Sequence, residues 1–306
     1  MKKAVYYGVG DVRVEDVPAP VPGPGQIKMD VKYCGICGSD LHEYLHGPFP
    51  QSPFGHEACG TISALGPGVQ GYTLGERICT VYPGGFAEAM VCPVERVIKI
   101  PDEMSWERAA VFEPLSGAAH AMARGQVQSE HTVFIAGAGT VGLMFLMGCK
   151  AMGIERIFMT DVLENRRRMA ETLGATEVWD PTKDKTNAKI KALTNGRGVD
   201  VSIEAVGLET TLKDCLASTR YQGTCIVQGI FTQPAQISML GFVYREITMV
   251  GTSSIKPPLA FQWLQTGKIQ PERIISQIIP LADIVQDGFE LLVHRGGTAI
   301  KILTEP

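Results

Sequence analysis

Apolar and polar positions along the chain fall into two regimes. Up to about residue 113 the apolar residues come in short runs broken by glycine and proline. "QIKMDVKYC" (26–34) alternates and holds few helix formers. "GHEACGTISALG" (55–66), "ERICTVYP" (76–83) and "FAEAMVCP" (86–93) are similar runs. Such a pattern predicts an irregular β domain. From Glu113 the rhythm changes to alternating strands and helices. "HTVFIAGAG" (131–139) reads as a strand and "TVGLMFLMGCKAMG" (140–153) as a helix. "RIFMTD" (156–161), "EVWD" (177–180), "GVDVSIEAVG" (198–207) and "GTCIVQGI" (223–230) read as further strands. "ENRRRMAETLGA" (164–175), "NAKIKALTNG" (187–196) and "ETTLKDCLAST" (209–219) read as the helices between them. This alternation predicts a doubly wound parallel sheet, so the chain is α/β. After Gly251 it ends: "PPLAFQWLQTGKI" (257–269) and "LADIVQDGFELLVHRG" (281–296) each read as one helix, and "TAIKILTEP" (298–306) as a closing strand. The expected organisation is a first domain made of 1–114 and 252–306, with 115–251 inserted as the second.

With 306 residues, two domains of about 150 residues each are the natural division. A net charge of −4 argues against a nucleic-acid partner, which usually requires a basic face. No apolar run follows the two lysines of the start, so no export leader is expected. The longest uncharged apolar stretch, Val133–Cys149, approaches a membrane span in length, but its glycines break it as a strand, turn and helix would. Eight cysteines over this length are too sparse for a disulfide scaffold, and reduced thiols in the cytoplasm are the expectation.

The candidate chemistry lies at four places. "GAGTVG", Gly137 to Gly142, is G-x-G-x-x-G between a predicted strand and a predicted helix. Gly137 permits the tight turn, Gly139 lets backbone approach a pyrophosphate, and Gly142 lets the helix pack on the strand. Thr140 and Val141 complete the loop. Asp161 follows Gly142 by 161 − 142 = 19 residues at the end of the next strand. Its carboxylate can accept from an adenosine ribose and would repel a 2′-phosphate, which favours NAD over NADP. Arg166–Arg168 could neutralise a phosphate, and a solvated helix face is the preferred reading of that run. "YCGICGSDLHEYLHG" (33–47) carries Cys34, Cys37, Ser39, Asp40 and His42; "FGHE" carries His56 and Glu57; "FEPLSG" carries Glu113. Cys37, His56, Glu57 and Glu113 are zinc-competent donors from three separated segments. A redox pair, a buried apolar-like cysteine, a hydrogen-bonded loop histidine and a helix-capping glutamate are the alternatives taken singly.

"CGICGSDLH", "GHE", "GGFAE", "EPLS" and "GAGTVG", in this order, resemble the zinc-dependent medium-chain alcohol and polyol dehydrogenases. "DLHEYLHGP", "TNGRGVDVSIEAVG" and "GKIQPERIISQIIPL" look closest to the 2,3-butanediol dehydrogenase branch, with sorbitol and threonine dehydrogenases near. The resemblance implies a GroES-like catalytic domain beside a Rossmann domain. It implies Cys37 and His56 as zinc ligands, with Glu57 or Glu113 binding the metal or its water. It implies a proton relay through Ser39 and His42, and Asp40 as orienter of the zinc histidine. It also implies coenzyme contacts at Val141, Asp161, Arg166, Val206 and Gly229. A cysteine-rich lobe for a second, structural zinc is missing between "TVYP" and "GGFAE", so one catalytic zinc is expected and no structural one. The stretch 47–55 is short for the family, and the arginine-tyrosine pair of sorbitol dehydrogenases is absent after Gly251. The implied partner is a small alcohol or ketone, most simply a vicinal diol or acyloin, with neither nucleic acid nor membrane. The implied assembly is a homodimer or homotetramer. A zinc-free reductase and a catalytically idle NAD-binding protein are the competing readings.

Overall fold

A computed structural model describes residues 1–47, 54–294 and 299–306. The shortened 47–55 stretch therefore falls mostly outside the described residues, as does the end of the 281–296 helix. The chain forms two compact units, Met1–Glu113 with Glu272–Pro306, and Pro114–Pro271.

The first unit holds two sheets. A hairpin pairs β1 (Lys2–Gly8) with β2 (Asp11–Asp16). The larger sheet contains β3 (Gln26–Gly35), β4 (Glu57–Leu65), β5 (Arg77–Thr80), β6 (Ala89–Pro93) and β7 (Val97–Lys99), and the late strands β14 (Ile275–Pro280) and β15 (Lys301–Glu305). Its order is β14-β15-β3-β4-β5-β7, with β6 also on β3. Ile27, Met29, Ile62, Ile78, Phe86 and Ile302 fill the core between these elements, the alternate positions of strands with one face turned inward. The connection from β5 to β6 runs through residues 81–88 alone.

Two elements of this unit differ from the sequence pattern. "GSDLHEYLH" is a helix, α1 (Gly38–His46), with Cys37 as its N-cap. Leu41, Tyr44 and Leu45 stand at helical spacing, but the run is only nine residues long, and its start is marked by a cap: Asp40, the third helical residue, accepts a hydrogen bond from the Cys37 N–H at 2.8 Å. Residues 281–294 are not one regular helix. A 3₁₀ turn (Leu281–Asp283) leads into a π-helical stretch (Ile284–Phe289) and then a short α-helix (Glu290–His294). Gly288 lies where a side chain would begin 2.7 Å from Ile36 Cδ1, so the stretch packs closely only because that position has no side chain.

The second unit is a six-stranded sheet flanked by helices: β8 (Val133–Ala136), β9 (Ile157–Thr160), β10 (Glu177–Trp179), β11 (Val199–Glu204), β12 (Thr219–Val227) and β13 (Thr248–Gly251). All neighbours are parallel and the order is β10-β9-β8-β11-β12-β13. In sequence this is 3-2-1-4-5-6, the doubly wound order with its reversal between β8 and β11. β8, β9 and β11 are buried at every position, as strands covered on both faces must be. The apolar stretch Val133–Cys149 is split into β8 and the helix α4 (Thr140–Met152). No helix among the described residues is long and apolar enough to cross a membrane.

Residues 252–271, assigned from the sequence to the first domain, pack in the second unit. Helix α9 (Pro257–Gln265) places buried Trp263 against α4 at Gly148, where a methyl group would meet the indole at 2.7 Å. The Lys256 N–H adds a hydrogen bond to the Ser116 carbonyl at 3.0 Å. A change of rhythm in the sequence marks where the β-α alternation ends, whereas the unit boundary depends on which surface covers the last helix.

Candidate active site

The metal-donor candidates meet in the first unit because of strand register. β3 pairs with β4 so that Gly35 faces Glu57 and Cys34 faces Ala58. The chain leaving β3 therefore turns into α1 beside the start of β4. Asp40, wholly buried, fastens the two approaches together. One of its oxygens accepts from the Cys37 N–H at 2.8 Å and the other from the Gly55 N–H at 2.9 Å. One carboxylate thus sets the backbone of both Cys37 and the residue before His56. Ligand atoms of Cys37, His56 and Glu57 all lie within 4.8 Å of one another. Glu113, in the first turn of helix α3 (Phe112–Arg124), stands outside that group, although its charge acts on His56.

The electrostatics are those of a cation site. Burial acts to lower the His56 pKa, but the charge of Cys37, its hydrogen bond, and the charges of Glu113 and Asp40 outweigh it and leave the imidazole raised well above its usual value. Burial pushes Asp40 up to about 6, against the His56 charge and the two backbone N–H groups. It pushes Glu113 up to about 7, with Glu57 adding to the rise and His56 opposing it. Several carboxyl and thiol groups thus compete for too little positive charge, which a divalent cation would supply.

A residue outside the sequence-derived set completes this arrangement. Lys301 on β15 is wholly buried and its ammonium forms an ion pair with one oxygen of Glu57, also buried. Lys301 Nζ further donates to the Ile36 carbonyl at 2.9 Å. Burial alone would lower the Lys301 pKa, and Glu57 and Cys37 raise it instead. A side chain on Gly35 would begin 2.5 Å from Glu57 and 2.7 Å from the Lys301 stem, so this glycine is required for the pair to pass. The other Glu57 oxygen is buried without a hydrogen-bond partner. An orphan carboxylate oxygen beside a thiol and an imidazole fits a zinc ligand or the holder of its water. The signal for Lys301 in the sequence is a cation inside "AIKIL", where Ile300, Ile302 and Leu303 are all buried.

The remaining residues of the motif are placed as follows. Cys34 and Cys37 are both free thiols. Cys34 is fully buried, and desolvation raises its pKa well above the usual value, so it behaves as a small apolar core residue. Ser39 Oγ is buried with no partner. His42 stacks on His46 with ring centroids 6.0 Å apart, and burial, followed by the neighbouring imidazole, lowers its pKa.

The second candidate site lies where the sheet order reverses. Gly137 has a positive φ of 99°, and a methyl on Gly142 would overlap the Gly137 carbonyl oxygen. Gly139 is the N-cap of α4, and among the described residues a side chain there would meet, beyond its chain neighbours, the Arg166 guanidinium, with Nη1 at 3.5 Å. That leaves room for a phosphate above the N-terminus of α4. Asp161 directly follows β9 and is largely buried. Its oxygens accept from the Ala138 N–H at 2.8 Å and the Leu163 N–H at 2.9 Å, and Arg166 lies 4.0 Å away. The carboxylate therefore ties the glycine loop to the next strand and keeps lone pairs for hydroxyl donors. Arg167 donates to the Asp161 carbonyl at 2.8 Å and Arg168 pairs with Glu164 on the surface, so only Arg166 of the three faces the loop. Val206 and Gly229 follow β11 and β12 on the other side of the reversal.

Residues 23–102 match the model of the alcohol dehydrogenase GroES-like domain, and 140–265 that of the zinc-binding dehydrogenase domain. The (R,R)-butanediol dehydrogenase of Bacillus subtilis is 31% identical over the whole of both chains. The chain belongs to the zinc-binding alcohol dehydrogenase family. The sorbitol dehydrogenase of the same bacterium is 30% identical over 100% of this chain and 97% of that one. The crystal structure of the Bacillus subtilis 2R,3R-butanediol dehydrogenase superposes with a TM-score of 0.90 at 30% identity, covering 100% of this chain and 99% of the other.

As a member of this family the protein is a zinc-dependent oxidoreductase of alcohols, with a nicotinamide coenzyme. The GroES-like and Rossmann expectations, and the nearness to butanediol and sorbitol dehydrogenases, hold. The chain is nevertheless short for the zinc-binding alcohol dehydrogenases. Its alignment to the Bacillus subtilis butanediol dehydrogenase runs over 349 positions. This chain fills at most 306 of them, so at least 349 − 306 = 43 have no counterpart here.

Proposed function

We propose that the chain reversibly oxidises a small secondary alcohol, at best a vicinal diol, to the ketone, using NAD and one zinc held by Cys37, His56 and a glutamate. The observation that carries this reading is the convergence of Cys37, His56 and Glu57 within 4.8 Å, with one oxygen of Glu57 left unpartnered. When bound, zinc supplies Lewis acidity toward the substrate oxygen and NAD supplies the hydride acceptor. The protein's own residues orient and handle protons. Lys301 and Asp40 fix Glu57 and the backbone at Cys37. The Ser39 hydroxyl, buried and unpartnered, is free to accept the substrate hydroxyl proton's hydrogen bond. His42, whose lowered pKa keeps it neutral near pH 7, takes the proton onward to water. Glu113, with its carboxyl pushed up to about 7, can hold the metal's water or meet a second hydroxyl.

Gly137, Gly139, Thr140, Val141 and Gly142 would cradle the pyrophosphate, with Asp161 and Arg166 at the adenosine ribose and Val206 and Gly229 at the nicotinamide side. Asp161→Gly should then erode the preference for NAD over NADP by tenfold or more, measured as the ratio of kcat/KM values. An unchanged ratio removes Asp161 from the ribose.

The diol reading draws on the relatives named butanediol dehydrogenases and on the absence of an arginine-tyrosine pair after Gly251. A sorbitol- or threonine-dehydrogenase-like activity on a polyol or amino alcohol is the second reading, favoured by the sorbitol dehydrogenase relatives. One zinc per chain is expected, because residues 81–88 contain no cysteine. A panel of diols, polyols and amino alcohols with NAD, followed by absorbance and repeated after chelation, decides. Diol turnover lost on chelation and restored by zinc is the expected result. NAD binding without turnover on any substrate would make the protein an idle coenzyme binder.

The assembly we infer is a dimer through the sheet edge. β13 is the last strand of its sheet, and Met239, Leu240, Val243 and Tyr244 of the helix α8 (Met239–Tyr244) and Met249 of β13 are exposed. An open strand edge flanked by apolar side chains is a pairing surface. Light scattering should give twice the chain mass or more, and Val243→Glu should return the monomer. A monomeric parent protein would refute the assignment.

A further inference from the structure

We propose that Glu204 is a positioning residue for the nicotinamide half of the coenzyme, an inference that rests on the NAD reading above. The sheet reverses between β8 and β11, and a dinucleotide lies across such a reversal. Asp161, just after β9, marks the adenosine side. The other half of the coenzyme therefore lies toward the carboxyl ends of β11 and β12.

Glu204 ends β11 and is wholly buried. Its side chain does not point into solvent or to a cation: among the described residues no ion pair includes it. Instead it gathers its own loop. Oε1 accepts from the Val206 N–H at 3.0 Å, the Gly207 N–H at 2.9 Å and the Thr211 hydroxyl at 2.7 Å, and Oε2 accepts from the Gly207 N–H at 3.1 Å. The Glu204 carbonyl accepts from the N–H groups of Gln228 and Gly229 at 3.0 and 3.1 Å. A methyl on Gly229 would overlap both Glu204 Oε2 and the Gly207 nitrogen. One carboxylate is thus wedged between the loop after β11 and the loop after β12. The first of these loops also reaches the pyrophosphate turn: a side chain on Gly137 would begin 2.6 Å from Val206 Cγ2. Fixing Val206 and Gly207 fixes the wall on which the nicotinamide ribose and ring would rest, and leaves the adenosine side to Asp161.

A buried carboxylate that only holds the domain together would act on both halves of the coenzyme alike, so the two halves are measured separately. In Glu204→Gln an amide NH₂ replaces an oxygen that receives N–H donors, and the loop must move to relieve the clash. NADH binding is followed by fluorescence titration and AMP binding by calorimetry. The expected result is an NADH dissociation constant raised about tenfold or more, with AMP changed less than twofold. Thr211→Val, which removes a single donor, should raise the NADH constant about threefold and leave AMP alone. Should Glu204→Gln not fold, Thr211→Val decides by the same comparison. Equal weakening of NADH and AMP would overturn the proposal in favour of a general structural role. No change in either would overturn it outright. If the unaltered protein bound no NADH, the NAD reading itself would fall, and this proposal with it.

Discussion

Cys37→Ala should yield a folded protein with no zinc and no measurable alcohol oxidation. Among the described residues its sulfur is one of three ligand atoms that lie within 4.8 Å of one another, and a catalytic zinc takes about three protein ligands. Changing a group that merely supports a ligand costs about 10–100-fold in metal affinity. Removing the ligand itself should therefore cost more than about 100-fold, enough to empty the site in ordinary buffers. The fold should survive, because Cys37 is only partly buried and the capping hydrogen bond of α1 uses its backbone N–H and the Asp40 side chain. Metal content by mass spectrometry, turnover on the best diol and a thermal melt are read together. An active, zinc-free Cys37→Ala protein would remove the ligand role and, with it, the proposed reaction.

Lys301→Met should lower stability by about 3–5 kcal/mol while the protein still binds zinc. The substitution keeps an unbranched stem and deletes the ammonium, leaving the buried Glu57 without its ion-pair partner. Breaking a buried pair from one side costs about that much, whereas replacing both members can be nearly neutral. Lys301→Met with Glu57→Gln should therefore melt higher than Lys301→Met alone, a double-mutant comparison that isolates the stranded charge. The pH dependence has a defined sign. The Lys301 pKa is raised in the folded protein from 10.5, so its contribution is fully present below 10.5 and is lost only as pH climbs through the higher folded value. The stability gap should be flat across the neutral range and close in strong alkali. Equal melting temperatures for parent and Lys301→Met would show that the pair contributes nothing.

Much of this protein is legible without coordinates, and the reason is local. The β-α alternation after Glu113, the glycine loop and its acid 19 residues on are short-range features, decided by backbone sterics and burial within a few residues of each other. The same holds for the chemistry of "GHE" and "CGICGSDLH", since donor type is a property of the residue alone. What lay beyond reach was either marked by weak local signals or contributed from far along the chain. Helix α1 is a single short run whose periodic signal rests on Leu41, Tyr44 and Leu45 alone. The second unit extends to Pro271 because Trp263 found a glycine on α4 to pack against. Lys301 reaches Glu57 across 244 residues of sequence, through a register between β15 and β3 that no window of residues encodes. Glu204 looked like one more residue of a buried strand until two loops closed around its carboxylate. The sequence alone thus determined the family of the chain and its two kinds of domain, and it named candidate zinc and coenzyme donors, because these follow from residue type and near-neighbour pattern. Only the tertiary structure decided which carboxylate keeps an unpaired oxygen beside the thiol and imidazole, and which buried charges hold the loops in place, because both depend on strands meeting in one register after long excursions of the chain.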